Sequence, residues 1–125
     1  SAPYAVRNLT LVAACSESFF GRLRNLVGSA EVWEPGVRLV VYDLGFTSEQ
    51  LAELRCWRGV DEVVRFPFER YEGLGAHHVR ELGTYAAKIL SCQHALERVR
   101  PGEAVLCLDC GMEVRISRAP GLRGW

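Results

Sequence analysis

Ala104-Val105-Leu106-Cys107-Leu108-Asp109-Cys110-Gly111 is the stretch on which the fold turns. Its apolar run is continuous rather than alternating, the signature of a strand covered on both faces. Strands of that kind belong to parallel sheets sandwiched by helices. At the carboxyl end of such a strand, Asp109 points out of the sheet edge, where open α/β sheets bind their ligands. Two readings of Asp109 stand side by side: an acid of a binding site, or a cap for the turn.

Outward from this run, similar segments repeat. Residues 9–15 form a second apolar strand, rich in Leu, Val and Ala. Ser16-Glu17-Ser18 follows with N-cap chemistry, and Phe19, Phe20, Leu23, Leu26 and Val27 recur at helical spacing. Gly28 reads as the stop of that helix, and Pro35-Gly36 as a turn. Residues 37–42 make another buried strand, ending at Asp43. Thr47 with Gln50 fits a capping box, opening a helix whose inner face is Leu51, Leu54 and Trp57. Residues 60–66 form a strand whose Asp61, Glu62 and Arg65 place it near an edge. Residues 67–83 have no period and contain His77-His78; adjacent histidines project differently, so a shared ligand is not expected of them. A third helix spans 84–99, with Tyr85, Ile89, Leu90, Ala95, Leu96 and Val99 expected on its core face and His94 on its surface. Pro101-Gly102 ends it, and residues 112–116 are a candidate fifth strand.

This alternation predicts a three-layer α/β domain over residues 1–125, with a mostly parallel sheet flanked by helices. With right-handed crossovers the strand order is 3-2-1-4 and the switch point lies between strands 1 and 4. Cys15, Ser16 and Asp109 then meet at one crevice, with Asp43 beside it. Val12, Val40 and Leu106 are expected to be almost fully buried.

The bulk numbers fit this picture. An apolar fraction of 49% and a charged fraction of 24% over 125 residues are ordinary for one globular domain. A formal net charge of zero argues against a nucleic-acid polymer as partner, which demands a basic excess. The local pairs Arg22/Arg24 and Arg115/Arg118 read as solvated surface. No apolar stretch approaches the ~20 residues needed for a membrane span. The ends, Ser1-Ala2-Pro3-Tyr4 and Gly121-Leu122-Arg123-Gly124-Trp125, read as cuts into a longer protein, and 117–125 as an irregular tail.

Five scattered cysteines, Cys15, Cys56, Cys92, Cys107 and Cys110, make a poor disulfide framework. Cys15 and Cys107 read as free thiols packed in strands. No second pair completes a zinc site around Cys107-x-x-Cys110. Asn8-Leu9-Thr10 is a glycosylation sequon, which leans the compartment toward the secretory lumen, the cytoplasm being the alternative.

The turn after the first strand lacks G-x-G-x-x-G, and neither a phosphate-binding G-x-x-x-x-G-K-[ST] nor a G-x-S-x-G elbow occurs. Dinucleotide enzymes, P-loop NTPases and α/β-hydrolases are therefore disfavoured. Four other motifs occur in order: Tyr42-Asp43-Leu44-Gly45, Phe66-Pro67-Phe68, Tyr85-Ala86-Ala87-Lys88 and Leu108-Asp109-Cys110-Gly111. In that order the chain resembles GT-A-type nucleotide-diphospho-sugar glycosyltransferase-like proteins, over residues 8–114. Their pattern is Y-D-L-G, F-P-F, Y-A-W-K-P, then L-D-A-G or L-D-x-D.

The resemblance implies the nucleotide-binding, Rossmann-like half of a GT-A fold. It also implies a nucleotide-diphospho-sugar donor and an unknown acceptor. In the wider fold the acid after the fourth strand holds Mn²⁺ or Mg²⁺, ions suited to oxygen ligands. Asp109 matches that acid; Gly111 stands where a second acid is common, and Glu113 is the substitute candidate. Ala87 and Ile89 replace the pattern's tryptophan and proline. Cys15, Ser16 and Asp43 would line the nucleotide crevice, with Asp43 toward ribose or base, or merely capping its loop. Lys88 would meet a phosphate as a point charge, or be a solvated helix lysine. The alternative is a non-catalytic α/β interaction module. For the isolated chain no transferase turnover is expected, and self-association through an uncovered edge beside the fourth strand is.

Overall fold

The computed structural model describes residues 8–33, 36–74 and 84–110. Four strands, β1 (Leu9–Cys15), β2 (Arg38–Asp43), β3 (Glu62–Arg65) and β4 (Ala104–Leu108), form one sheet in the order β3-β2-β1-β4. Every pairing is parallel: Val12 lies opposite Val40 on one side and Cys107 on the other, and Val41 lies opposite Val63. The anticipated α/β class and the 3-2-1-4 order are what the chain adopts.

Alternation along β1 divides the core in two. Leu11, Ala13 and Cys15 join a cluster with Leu39 and Val41 from β2, and with Leu23, Leu26 and Val27 from helix α1 (Phe20–Trp33). Leu54 of α2 (Ser48–Leu54) packs on the same face. Val12 and Ala14 join Val40, Tyr42 and Phe66 on the opposite face, beneath helix α3 (Thr84–Arg98). The sheet is thus the middle of three layers. Among the described residues no helix is long and apolar enough to cross a membrane.

The α2 start matches its sequence signal. Thr47 Oγ1 accepts from Gln50 N, and the Gln50 side chain accepts from Thr47 N, each at 3.1 Å. The α1 start does not. Ser16 is extended and its side chain makes no cap bond; a 3-10 turn over Glu17–Phe19 leads into the helix instead. Nor does Gly28 stop α1, which continues to Trp33. Gly28 is exposed there, so the helix passes it without a packing conflict.

Two expectations about burial are overturned, for one reason. Leu106 is 48% exposed, whereas Val12 and Val40 are 2% and 4%. β4 is the sheet's edge, hydrogen-bonded to β1 alone among the described residues. On α3, Ile89 and Leu96 are exposed while Ala87, Ser91 and Ala95 are buried. That small-residue stripe, at i, i+4 and i+8, lets the helix lie close over the sheet. The bulkier Ile89 and Leu96 are turned toward β4, lining a groove with Cys107. The side chain of Tyr85 lies outside the described residues. Within the aperiodic stretch after β3, a 3-10 helix spans Phe68–Leu74, and Tyr71 stacks on Phe66 at 5.6 Å. His77, His78, the candidate fifth strand, Arg115/Arg118 and the tail lie outside the described residues.

The cysteine reading is corrected too. Cys92 of α3 and Cys107 of β4 form a disulfide, with Cα atoms 6.0 Å apart. Cys15, Cys56 and Cys110 are free. The bridge staples a helix to the strand that immediately follows it, a proximity that scattered sequence positions do not reveal.

Candidate functional site

The carboxyl edge of the sheet gathers the candidate residues. β1 ends at Cys15, β2 at Asp43 and β4 just before Asp109. From this edge β1 leads into α1 on one face of the sheet, whereas α3 starts at the same edge on the other face, the divergence expected at a switch point. α3 begins at this edge with Thr84, so the positive end of its dipole faces the same region.

Lys88 and Asp109 meet here. Lys88 Nζ lies 3.1 Å from Asp109 Oδ1, with the side chains 28% and 64% exposed. They stand at the carboxyl end of a groove of about 520 Å³ between α3 and β4. Ile89, Cys92, Leu96 and Cys107 give that groove an apolar wall. Lys88 is therefore neither a free solvated lysine nor an isolated point charge.

Asp43 does something simpler. Its Oδ1 accepts from Gly45 N at 2.8 Å and Phe46 N at 2.7 Å. This ties down the turn into α2, in which Gly45 has a φ of 145°, a conformation suited to glycine. Of the two readings of Asp43, loop capping is the observed one. The backbone beside it is also fixed, with Leu44 N donating to Cys15 O at 3.0 Å. Ser16 follows at the mouth of the crevice, half-buried.

Cys15 and Cys110 form a hydrogen-bonded thiol pair in the core below this edge. The bond from Cys15, helped by the charge of Lys88 and opposed by burial, brings Cys110 down to about 7. The same bond and burial push Cys15 up, so Cys15 keeps its proton. Strand alternation separates the two chemistries. Cys110 shares the α1 face with Cys15, whereas Asp109 reaches Lys88 on the α3 face.

The described residues do not build a divalent-metal site. No three His, Cys, Asp or Glu side chains gather among them. Asp109 already carries an ammonium group at 3.1 Å from one of its oxygens. Glu113 lies outside the described residues. The arrangement suits an anion drawn to Lys88 better than a dication drawn to Asp109.

Two features were missed from sequence. His94 is not a surface histidine: Tyr42 Oη and His94 Nδ1 are 2.6 Å apart, with the rings edge to face. Burial, then the nearby Arg98 and Arg70, pull the His94 pKa below its usual value. At the opposite, amino edge, Glu62 bridges Arg38 at 2.7 Å and Arg98 at 2.5 Å. These residues line a polar cavity of about 400 Å³ with Thr10, Arg100 and Glu103. Only the register of β2 with β3 brings Arg38 and Glu62 together. Arg24 is on the exposed surface as expected, where it pairs with Glu53 at 2.7 Å and lies over the Phe20 and Trp57 rings.

Compared with protein-family models, curated proteins and solved structures, the chain matches none.

Proposed function

We propose that this domain binds a nucleotide-diphospho-sugar at the carboxyl edge of its sheet, as the donor-binding part of a glycosyltransferase-type protein. The observation that carries the reading is the Lys88–Asp109 pair at the β1/β4 switch point, beside the amino end of α3. A diphosphate entering there exchanges the Asp109 carboxylate for its own oxygens as the partner of Lys88, aided by the helix dipole. Ser16 and the backbone of the Asp43 turn frame the nucleotide end, and Asp43 acts by holding that turn. The Cys92–Cys107 disulfide and the Asn8 sequon both support an oxidising secretory compartment for the protein.

The test is titration calorimetry of the full chain with UDP- and GDP-sugars, with Mn²⁺, with Mg²⁺ and with chelator. Lys88→Met is expected to weaken binding about tenfold or more, the loss of a charge-assisted contact to phosphate. Asp109→Asn separates the roles: weaker binding only with metal assigns Asp109 to the ion, and equal or tighter binding in chelator assigns it to restraining Lys88. No binding of any nucleotide-sugar by the wild-type chain overturns the proposal.

A non-catalytic interaction module is the second reading, favoured by one observation. The outer edge of β4 takes no strand among the described residues, and Leu106, Ile89 and Leu96 are exposed beside it. An apolar edge of this kind invites strand addition or self-association.

A further inference from the structure

We propose that Cys15 and Cys110 are a redox-active pair that closes a second disulfide, tying the carboxyl end of β1 to the turn after β4. The register places them together. β1 and β4 pair in parallel from Leu9↔Ala104 to Ala13↔Leu108, and Cys15 and Cys110 each stand two residues beyond the last pair, on the same side of the sheet. Neighbouring strands lie about 4.8 Å apart. A disulfide needs Cα atoms roughly 4.4–6.8 Å apart, a span of the same order. Both side chains are buried in the one core cluster on the α1 face. Both are reduced here.

The other cysteines are poor rivals. Cys107 is held by Cys92, over on the α3 side of the sheet. A Cys107–Cys110 bridge would therefore have to pass from one face to the other. Cys56 lies exposed just past the end of α2.

The oxidant is a small-molecule disulfide of the glutathione type. The Cys110 sulfur loses its proton and attacks one sulfur of the oxidant, breaking that S–S bond and releasing one thiol. The Cys15 sulfur, losing its proton, then attacks the Cys110 sulfur of the mixed disulfide and releases the second thiol. Two protons and two electrons leave the protein, two small thiols form, and one protein S–S bond closes. Cys15 and Cys110 are 0% and 2% exposed, so closure accompanies folding or an opening of the turn at 109–110. The consequence falls on the crevice: Ser16 directly follows one sulfur-bearing residue and Asp109 directly precedes the other. The bridge would also enclose most of the described domain, a far longer loop than the 15-residue separation of Cys92 and Cys107.

The experiment uses the full chain with Cys56→Ser, which removes the exposed thiol. The protein is equilibrated in glutathione buffers of graded oxidation that leave Cys92–Cys107 bridged. It is then acid-quenched, denatured, alkylated and mapped by peptide mass spectrometry. Alkylatable thiols are expected to fall from two to none in one step, with a Cys15–Cys110 cross-linked peptide and a higher melting temperature. Adding Cys15→Ser or Cys110→Ser should leave one thiol and abolish the melting shift; both readouts are compared with the reduced parent, so a merely weakened fold is visible as such. Two alkylated thiols at every ratio, a glutathione adduct without a bridge, or a bridge from Cys110 to Cys92 or Cys107 would overturn the proposal.

Discussion

Lys88 and Asp109 show how one contact changes what a residue can do. Each alone is a plausible phosphate or metal ligand; at 3.1 Å they satisfy one another, and an incoming ligand must compete for that pair. His94 is governed as closely by its surroundings. In the folded chain burial and neighbouring arginines hold its pKa below the usual value, which favours the neutral ring that shares a single proton with the Tyr42 hydroxyl through Nδ1. The unfolded chain, with an ordinary histidine pKa of about 6.5, binds more protons between that value and the lowered folded one. Stability therefore rises with pH through this window, is fully present above it, and is lost as the pH falls. Thermal melts of the wild-type chain should weaken between pH 7.5 and 5.5 by more than those of His94→Gln. Parallel pH profiles for the two proteins would contradict this account of His94.

At the scale of elements, the same apolar character has different consequences in different strands. β1 and β4 both read as continuous apolar runs, yet among the described residues β1 is central and β4 is an edge. Val12→Ala should destabilise the chain by about 1–3 kcal/mol, because a packed site loses its methyl groups and keeps the space. Leu106→Ala should cost about 1 kcal/mol or less, since its side chain is half in water already. Chemical denaturation of both variants checks the contrast, and equal losses would contradict the edge assignment. The strands, their order and the Thr47 capping box were legible in the sequence because each depends on local pattern and on general rules of chain connection. Helix facing on α3 was not, because Ala87, Ser91 and Ala95 are chosen for closeness to the sheet rather than for hydrophobicity. The Cys92–Cys107 bridge and the Arg38–Glu62–Arg98 cluster were hidden for a related reason: they depend on which residues neighbouring elements bring side by side. Asp43 was legible as a turn residue and as a ligand alike, and its bonds to Gly45 and Phe46 show the turn role.

The whole molecule offers two ends of one sheet. The carboxyl end collects Ser16, the Asp43 turn and Asp109 at the ends of neighbouring strands, with Lys88 of α3 paired to Asp109. The amino end holds Arg38, Arg98 and Arg100 around Glu62 and Glu103, a richer set of cations already balanced in part by acids. A nucleotide-diphospho-sugar carries charge enough to be drawn to either, so the location of binding is the decisive question. The most direct measurement is a backbone amide NMR titration of the full chain with a nucleotide-diphospho-sugar. The largest shifts are expected on Ser16, Leu44–Phe46, Lys88 and Asp109, and Lys88→Met should remove them. Shifts concentrated instead on Arg38, Arg98 and Arg100, or no shifts at saturating ligand, would contradict binding at the carboxyl end.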